Sequence, residues 1–188
     1  MKKILFINGS PYRNGATDKI FSLLLENIDK EKFICKVTNL SDFDIKYCTG
    51  CTTCYQTLVC YLKDDLAGIM SDMENADGIV IISPSYWADI TGQLKVFFDR
   101  LTPYCNTHSP HARLPKGKKG FAVALRTGSN PCECLHIVES INHFYGHLEI
   151  DFEDDYSMYF CSIDRDSYDI SKHENEIKQF ADLINRTV

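Results

Sequence analysis

The stretch KKILFINGSPYRNGATDKIFSLLL, Lys2 to Leu25, decides how the chain is read. Ile4, Leu5, Phe6 and Ile7 form a short apolar run. Turn-forming residues follow at Gly9-Ser10-Pro11 and Asn14-Gly15, and Ile20, Phe21, Leu23, Leu24 and Leu25 then mark an amphipathic segment. This pattern is strand, loop, helix. In such a unit the free amides of the loop and of the helix's first turn converge on one point, where the helix dipole favours an anion. Ser10 and Thr17 add hydroxyls there. The same composition also serves a plain strand-to-helix turn in which Gly and Asn supply positive φ, and this stretch alone leaves both readings open.

Working outward, the first helix is expected to end near Asp29, and Phe33 to Leu40 reads as a second strand with Cys35 as a small buried hydrophobe within it. Asp42 to Cys60 is irregular and dense in cysteine. Asp64 to Asn75 carries Leu66, Ile69, Met70 and Met73 at helical spacing. Gly78 to Ile82 is a continuous apolar strand of the kind that suits a parallel sheet covered on both faces. A loop at Ser83 to Asp89, a helix at Ile90 to Leu101 and a long polar connection at Tyr104 to Gly120 come next. Phe121 to Leu125 reads as a fourth strand, and Cys132 to Tyr145 as a helix that Gly146 ends. A fifth strand falls within Leu148 to Cys161, and a closing helix spans Ser171 to Ile184. Alternation of this kind predicts an α/β fold: an open parallel five-stranded sheet with helices on both faces, and a ligand crevice beyond the strands' carboxyl ends.

A length of 188 residues with no composition break predicts a single domain over residues 1–188. The formal net charge of -6 argues against a nucleic-acid surface, which needs a clustered basic face. No apolar stretch approaches a membrane span, and the run after Lys2 and Lys3 stops at Asn8, too short for a signal-peptide core. Nine cysteines without a leader point to metal or redox chemistry in a reducing cytoplasm rather than to a disulfide framework.

Two loops at predicted carboxyl ends are informative together: Gly9 to Thr17 after the first strand and Pro84-Ser85-Tyr86-Trp87 after the third. The first has neither the Walker spacing nor its Gly-Lys-Ser/Thr ending, so it does not read as an NTPase loop. The set resembles the flavodoxin-like NAD(P)H-dependent FMN reductase and iron–sulfur flavoprotein family. The resemblance rests on Lys3 to Pro11, Gly15-Ala16-Thr17, Cys48 to Cys54, Asp64-Asp65, Ala76-Asp77-Gly78, Ser83 to Trp87, Gln93-Leu94-Lys95 and Phe98 to Leu101; it covers about two thirds of the chain and fades after Ala124. It implies a flavodoxin-like sheet of strand order 2-1-3-4-5. It also implies that Ser10, Arg13, Asn14, Gly15, Ala16 and Thr17 contact the FMN phosphate and that Pro84, Ser85, Tyr86 and Trp87 line the isoalloxazine ring. Thr127 and Gly128 form a third edge, where this chain has Arg126-Thr127-Gly128-Ser129 in place of the family's Gly-rich loop. NAD(P)H is the implied co-substrate, a flavin, quinone or other small acceptor the implied partner, and a homodimer or larger homo-oligomer the implied assembly. Flavin reduction needs the cofactor, a donor and a dry face, so no catalytic side chain is assigned. Lys95 and Asp99, at i,i+4, are expected to form a surface or interface ion pair.

Cys48, Cys51, Cys54 and Cys60 follow C-x2-C-x2-C-x5-C, a spacing from which soft thiolate ligands can converge on iron–sulfur or zinc. The resemblance implies a [4Fe–4S] cluster fed by a ferredoxin-like carrier, while other relatives of this kind carry a similar loop without metal. Zinc usually draws its ligands as pairs from separated segments. Cys105, His108 and His111 have metal-like intervals but are expected to be solvated, and Arg113, Lys116, Lys118 and Lys119 are expected to be soluble surface rather than a nucleotide-phosphate patch. Cys132 and Cys134 open a predicted helix, where a thiol's pKa can fall.

Overall fold

The computed structural model describes residues 1–188. Eleven elements alternate along it: β1 (Lys2–Asn8), α1 (Ala16–Asn27), β2 (Phe33–Asn39), the single helical turn α2 (Cys54–Thr57), α3 (Leu66–Asn75), β3 (Gly78–Pro84), α4 (Gly92–Arg100), β4 (Lys119–Leu125), α5 (Cys132–His147), β5 (Ser157–Phe160) and α6 (Glu174–Thr187). The strands form one sheet in the order β2-β1-β3-β4-β5, every pair parallel, as in flavodoxin-like folds. β1 pairs Phe6 with Val37 on one side and with Val80 on the other, so both of its edges are covered.

Residues of the inner strands are apolar throughout because both faces are buried, and the pleat divides them by parity. Leu5, Ile7, Ile79, Ile81, Ala122 and Ala124 pack with α3, α4 and α5. Ile4, Phe6, Val80, Ile82, Phe121, Val123 and Leu125 face the other way, against α1 and α6. Tyr145 is the largest side chain in this interior, with no exposed surface. Its hydroxyl lies 3.0 Å from the carbonyl oxygens of both Ile79 and Phe121, and its ring crosses β4 so closely that a Cβ on Gly120 would fall 2.7 Å from it. Burial pushes the Tyr145 phenol well above its ordinary pKa, so it remains a donor.

Several boundaries differ from the sequence reading. α5 runs through Gly146 to His147, because the left-handed reversal that ends it falls on Glu149 (φ 57°). The closing helix begins at Glu174 after a 3-10 turn over Ser171–His173 and continues to Thr187. Cys35 is half-buried rather than buried. The long connection before β4 is anchored by Leu114 and by Lys118, both buried. The Lys118 ammonium donates to the carbonyls of Glu74 (2.8 Å) and Ala76 (2.5 Å), closing the carboxyl end of α3.

Replacing Gly120 with Ala should overpack the Tyr145 contact and cost about 1–3 kcal/mol, read as a lower urea midpoint at unchanged slope. Tyr145→Phe, which keeps the ring, should cost about 1 kcal/mol.

Candidate functional site

The loops after β1 and β3 are locked to each other. Gly9 donates its amide to the Ile82 carbonyl (2.9 Å), and its own carbonyl accepts the buried Thr91 hydroxyl. That hydroxyl also accepts from Leu94 N (3.3 Å) as the N-cap of α4, while the Thr91 amide donates to Ser83 Oγ (3.3 Å). A Cβ on Gly9 would sit 3.1 Å from the Ile82 oxygen and from Leu94, so glycine is what lets the two loops approach.

Past Gly9 the chain wraps around buried Asn8. The Asn8 side-chain Oδ1 accepts the Ser10 amide (2.9 Å), and its Nδ2 donates to the side chains of Asp18 (2.7 Å) and Asn39 (3.1 Å). Asn14 adopts φ 62°, which turns the chain into Gly15, the N-cap of α1. The amides of Ala16, Thr17 and Asp18 donate to nothing else in the chain, and no side chain caps the helix. The Thr17 hydroxyl is buried with no partner. Free amides and an orphaned hydroxyl at a helix start are the features an anion satisfies.

This loop forms one end of a cavity of about 850 Å³. Ser10, Gly15, Ala16, Thr17, Pro84, Ser85, Tyr86, Trp87 and Thr127 all line it, joining three segments at the carboxyl ends of β1, β3 and β4. Arg13, Asn14 and Gly128 are not in that lining. Arg13 pairs with Asp42 (3.1 Å) at the surface, and Asn14 acts through its backbone. Gly128 lies beside the Arg126 guanidinium, 2.3 Å from where its Cβ would be, so glycine there makes room for the arginine.

Sequence reasoning missed Arg126, Glu133 and the segment from Ile163 to Tyr168, all of which contribute to the wall. Glu133 Oε1 holds Arg126 at 3.0 Å and Oε2 accepts the Ser85 hydroxyl at 2.6 Å, while Arg126 also donates to the Asn130 carbonyl (2.7 Å). The Ser85–Glu133 spacing in sequence carries no signal, because that contact exists only once β3 lies beside β4. Tyr12 stacks obliquely on Tyr168, ring centroids 5.7 Å apart, at the end of the cavity bordered by the loop after β1.

A second cavity, about 140 Å³, lies at the carboxyl end of α4, and Cys48, Cys51, Cys54 and Cys60 all line it with Arg100. No three Cys, His, Asp or Glu side chains converge closely enough to hold a single metal ion. Tetrahedral zinc, with thiolates about 2.3 Å from the metal, needs a tighter set, whereas a four-iron cluster takes its four thiolates from around a wider body. Four thiols around one cavity are, by their softness, a donor set of the kind an iron–sulfur cluster takes. Burial raises the Cys54 pKa first, with the neighbouring Cys60, Cys51 and Cys48 charges adding to it. Hydrogen bonds from Thr53 lower that of Cys51.

The loop that carries these thiols is fastened from beneath by a charge pair. Arg100 and Asp64 contact through two hydrogen bonds, both side chains are 1% exposed, and Arg100 also donates to the Lys46 carbonyl (2.6 Å). Burial pushes the Asp64 carboxyl up, but the guanidinium and the amides of Lys46 and Leu66 outweigh it and hold the pKa below 3.8.

The remaining sequence signals resolve as structure. Lys95 pairs with Asp99 on the exposed face of α4. Lys118 is buried, and Lys119 pairs with Asp151 at the amino end of β4, opposite the large cavity. His108 and His111 are not solvated as expected: their Nε2 atoms are buried without partners, and the His108 ring lies against Tyr55 with centroids 4.2 Å apart. Cys132 is exposed at the start of α5, whereas burial pushes the Cys134 thiol up to about 12.

A flavodoxin-like sheet with this crevice defines the broad class. Residues 2–149 match the NADPH-dependent FMN reductase family, and the chain belongs to that family. It is 37% identical over 141 residues to an iron-sulfur flavoprotein of Clostridioides difficile, covering 73% of this chain and 60% of that one. It is 34% identical over 148 residues to one of Methanocaldococcus jannaschii, at 79% and 74% coverage. An Archaeoglobus fulgidus iron-sulfur flavoprotein is 32% identical over 126 residues, covering 67% of this chain and 55% of that one. The chain thus spans 55% and 60% of the length of the Archaeoglobus and Clostridioides proteins. Among solved structures, an FMN-dependent NADH-azoreductase from Bacillus anthracis in complex with FMN superposes with TM-score 0.69 at 16% identity, over 98% of this chain and all of that one. An NADH:FMN oxidoreductase in its apo form gives 0.68 at 16% identity, over 100% and 90%. These two likenesses establish the fold.

Removing one member of the buried pair, by Arg100→Met or Asp64→Asn, should destabilise the chain by about 3–5 kcal/mol in denaturant titration. Replacing both together with apolar residues should cost less. Because the Asp64 pKa is depressed on folding, its contribution is complete above its ordinary value of 3.8 and is lost as pH falls below it; Asp64→Asn should flatten the acid limb of a pH–stability curve.

Proposed function

We propose that this chain is an FMN-dependent oxidoreductase that takes hydride from NAD(P)H and passes electrons to a flavin, quinone or other small acceptor. The observation that carries the reading is the 850 Å³ cavity, with an orphaned Thr17 hydroxyl and free helix-start amides at one end and Pro84 to Trp87 at the other. The residues fit FMN at both ends. Ser10, Gly15, Ala16 and Thr17 would hold its phosphate, with Arg13 and Asn14 shaping the loop. Pro84, Ser85, Tyr86 and Trp87 would border its ring, and Thr127 would meet the ring's edge, with Gly128 behind it. When bound, FMN supplies the hydride-accepting and electron-donating chemistry. The chain's residues bind it, orient it and keep water from one face, and no side chain is required to move a proton at a fixed position.

A second reading has its own observation: four thiols around one cavity at the far end of α4. In it, Cys48, Cys51, Cys54 and Cys60 would hold a [4Fe–4S] cluster, and a ferredoxin-like carrier would supply electrons by way of that centre. We infer one domain over residues 1–188, cytoplasmic and assembled as a homodimer or larger, with a small-molecule acceptor as its partner.

Anaerobic purification should yield a yellow or brown protein whose iron-to-flavin ratio separates the readings. Bleaching of bound flavin by NAD(P)H supports the first, whereas about four irons per flavin and bleaching only by reduced ferredoxin support the second. A colourless protein that takes up no added FMN sinks both. Thr17→Val, which removes a hydrogen bond to a charged phosphate worth about 1.5–3 kcal/mol, should weaken FMN binding roughly tenfold to a hundredfold by fluorescence titration.

A further inference from the structure

Two histidines one helical turn apart close the carboxyl end of α5. His143 and His147, at i and i+4, share a face of the helix, with their Nε2 atoms 2.8 Å apart and their rings nearly perpendicular. His143 is exposed and His147 half-buried. Both border a cavity of about 330 Å³ between α4 and α5, where Asp99 and Cys105 also contribute to the wall. This cavity shares no lining residue with the large one at the sheet's carboxyl end.

The His147 ring is oriented from behind. Asn106 donates its backbone amide to the His147 carbonyl (3.0 Å) and its Nδ2 to the Gly146 carbonyl (3.1 Å). Its Oδ1 is thereby set 3.3 Å from His147 Nδ1. A carbonyl oxygen only accepts, so the neutral ring carries its proton on Nδ1 and turns the Nε2 lone pair toward His143. A metal-ligating histidine is held in the same way, with its second nitrogen donating to a carbonyl. Without a metal, His143 Nε2–H donates to that lone pair. With one, the His143 proton moves to Nδ1 of the same exposed ring, and two lone pairs meet at one point.

Distance and field both suit a cation there. Metal–imidazole bonds of about 2.0–2.1 Å put two nitrogens about 2.9 Å apart at a right angle and about 3.4 Å apart at the tetrahedral angle. The observed 2.8 Å matches the right angle, the cis edge of an octahedral or square-planar site of the kind Ni²⁺ and Cu²⁺ take. The pair lies in the last turn of α5, where unpaired carbonyls and the helix dipole favour positive charge. Only two protein ligands converge, so water from the cavity side fills the other positions.

We propose that His143 and His147 form a binding site for a divalent transition-metal ion of octahedral or square-planar preference, with Asn106 as its positioning residue. The site is independent of whatever occupies the large cavity or the four thiols.

The test titrates the full chain, purified anaerobically, with Ni²⁺ by isothermal calorimetry. The parent should take up about one Ni²⁺ per chain at this pair. His143→Ala and His147→Ala should each weaken that uptake more than about tenfold, because one imidazole alone lacks the effective concentration of a chelate. Uptake by the cysteine loop is common to all the proteins and drops out of the comparison. Asn106→Ala, which keeps both imidazoles, should weaken it about tenfold. In ¹H–¹⁵N spectra, substoichiometric Ni²⁺ should broaden the ring signals of His143 and His147 ahead of those of His108, His111 and His136. A His143→Ala protein that binds Ni²⁺ as tightly as the parent overturns the site, and so does equal broadening at every histidine. Uptake of half an ion per chain that rises with protein concentration also overturns it, since the metal would then bridge two copies. An Asn106→Ala protein at full affinity overturns the positioning role.

Discussion

The Thr91 hydroxyl ties together the two loops whose divergence makes the crevice. It donates to the Gly9 carbonyl, and it caps the first turn of α4 through the Leu94 amide. Strand order reverses between β1 and β3, so their connections leave toward opposite faces and open a gap at their carboxyl ends. Left free, two such loops would splay. With Thr91 between them, the anion loop and the Pro84 to Trp87 loop keep a fixed separation, and the walls contributed by Arg126, Glu133 and Tyr168 are built on that frame.

The electrostatics of the cavity follow the same economy. The chain carries a formal charge of -6, yet the large cavity is lined by two arginines, Arg126 and Arg165, and by no lysine. Arg13 is spent on Asp42 at the surface, and Asp18, within the first turn of α1, is turned toward the Asn14 amide and Asn8. The cavity's positive character therefore combines the guanidiniums of Arg126 and Arg165 with the oriented amides at the start of α1, which are short-ranged and directional. Arg126, the guanidinium held in the opposite wall, is braced by Glu133, which also takes the Ser85 hydroxyl. A charge fixed on both sides in this way orients its neighbours without adding a strong net field.

Much of this was legible in the chain itself. The apolar runs at Ile4 to Ile7, Gly78 to Ile82 and Phe121 to Leu125 announced strands buried on both faces, and the turn residues from Gly9 to Gly15 announced the loop between β1 and α1. The limits of legibility are equally physical. Gly146 looked like a helix end because glycine tolerates positive φ, but the reversal fell on Glu149. The pairing of Arg13 with Asp42 joins the loop after β1 to the turn after β2, a contact no local pattern displays. Ser85 and Glu133 meet only because β3 pairs with β4, so no local pattern could have linked them. The buried state of Arg100 was hidden for the same reason: its partner lies 36 residues away on another helix start.

That partnership has a consequence for how any metal centre on the four thiols would assemble. A cysteine loop free in solution must lose its chain entropy when the metal arrives, which weakens the apparent affinity by that amount. Here the two ends of the loop are joined at Lys46 and Asp64 through Arg100, contacts that need none of the thiols. Closing the loop's ends is thus the work of the Arg100–Asp64 pair, and the chain between them has less entropy left to lose.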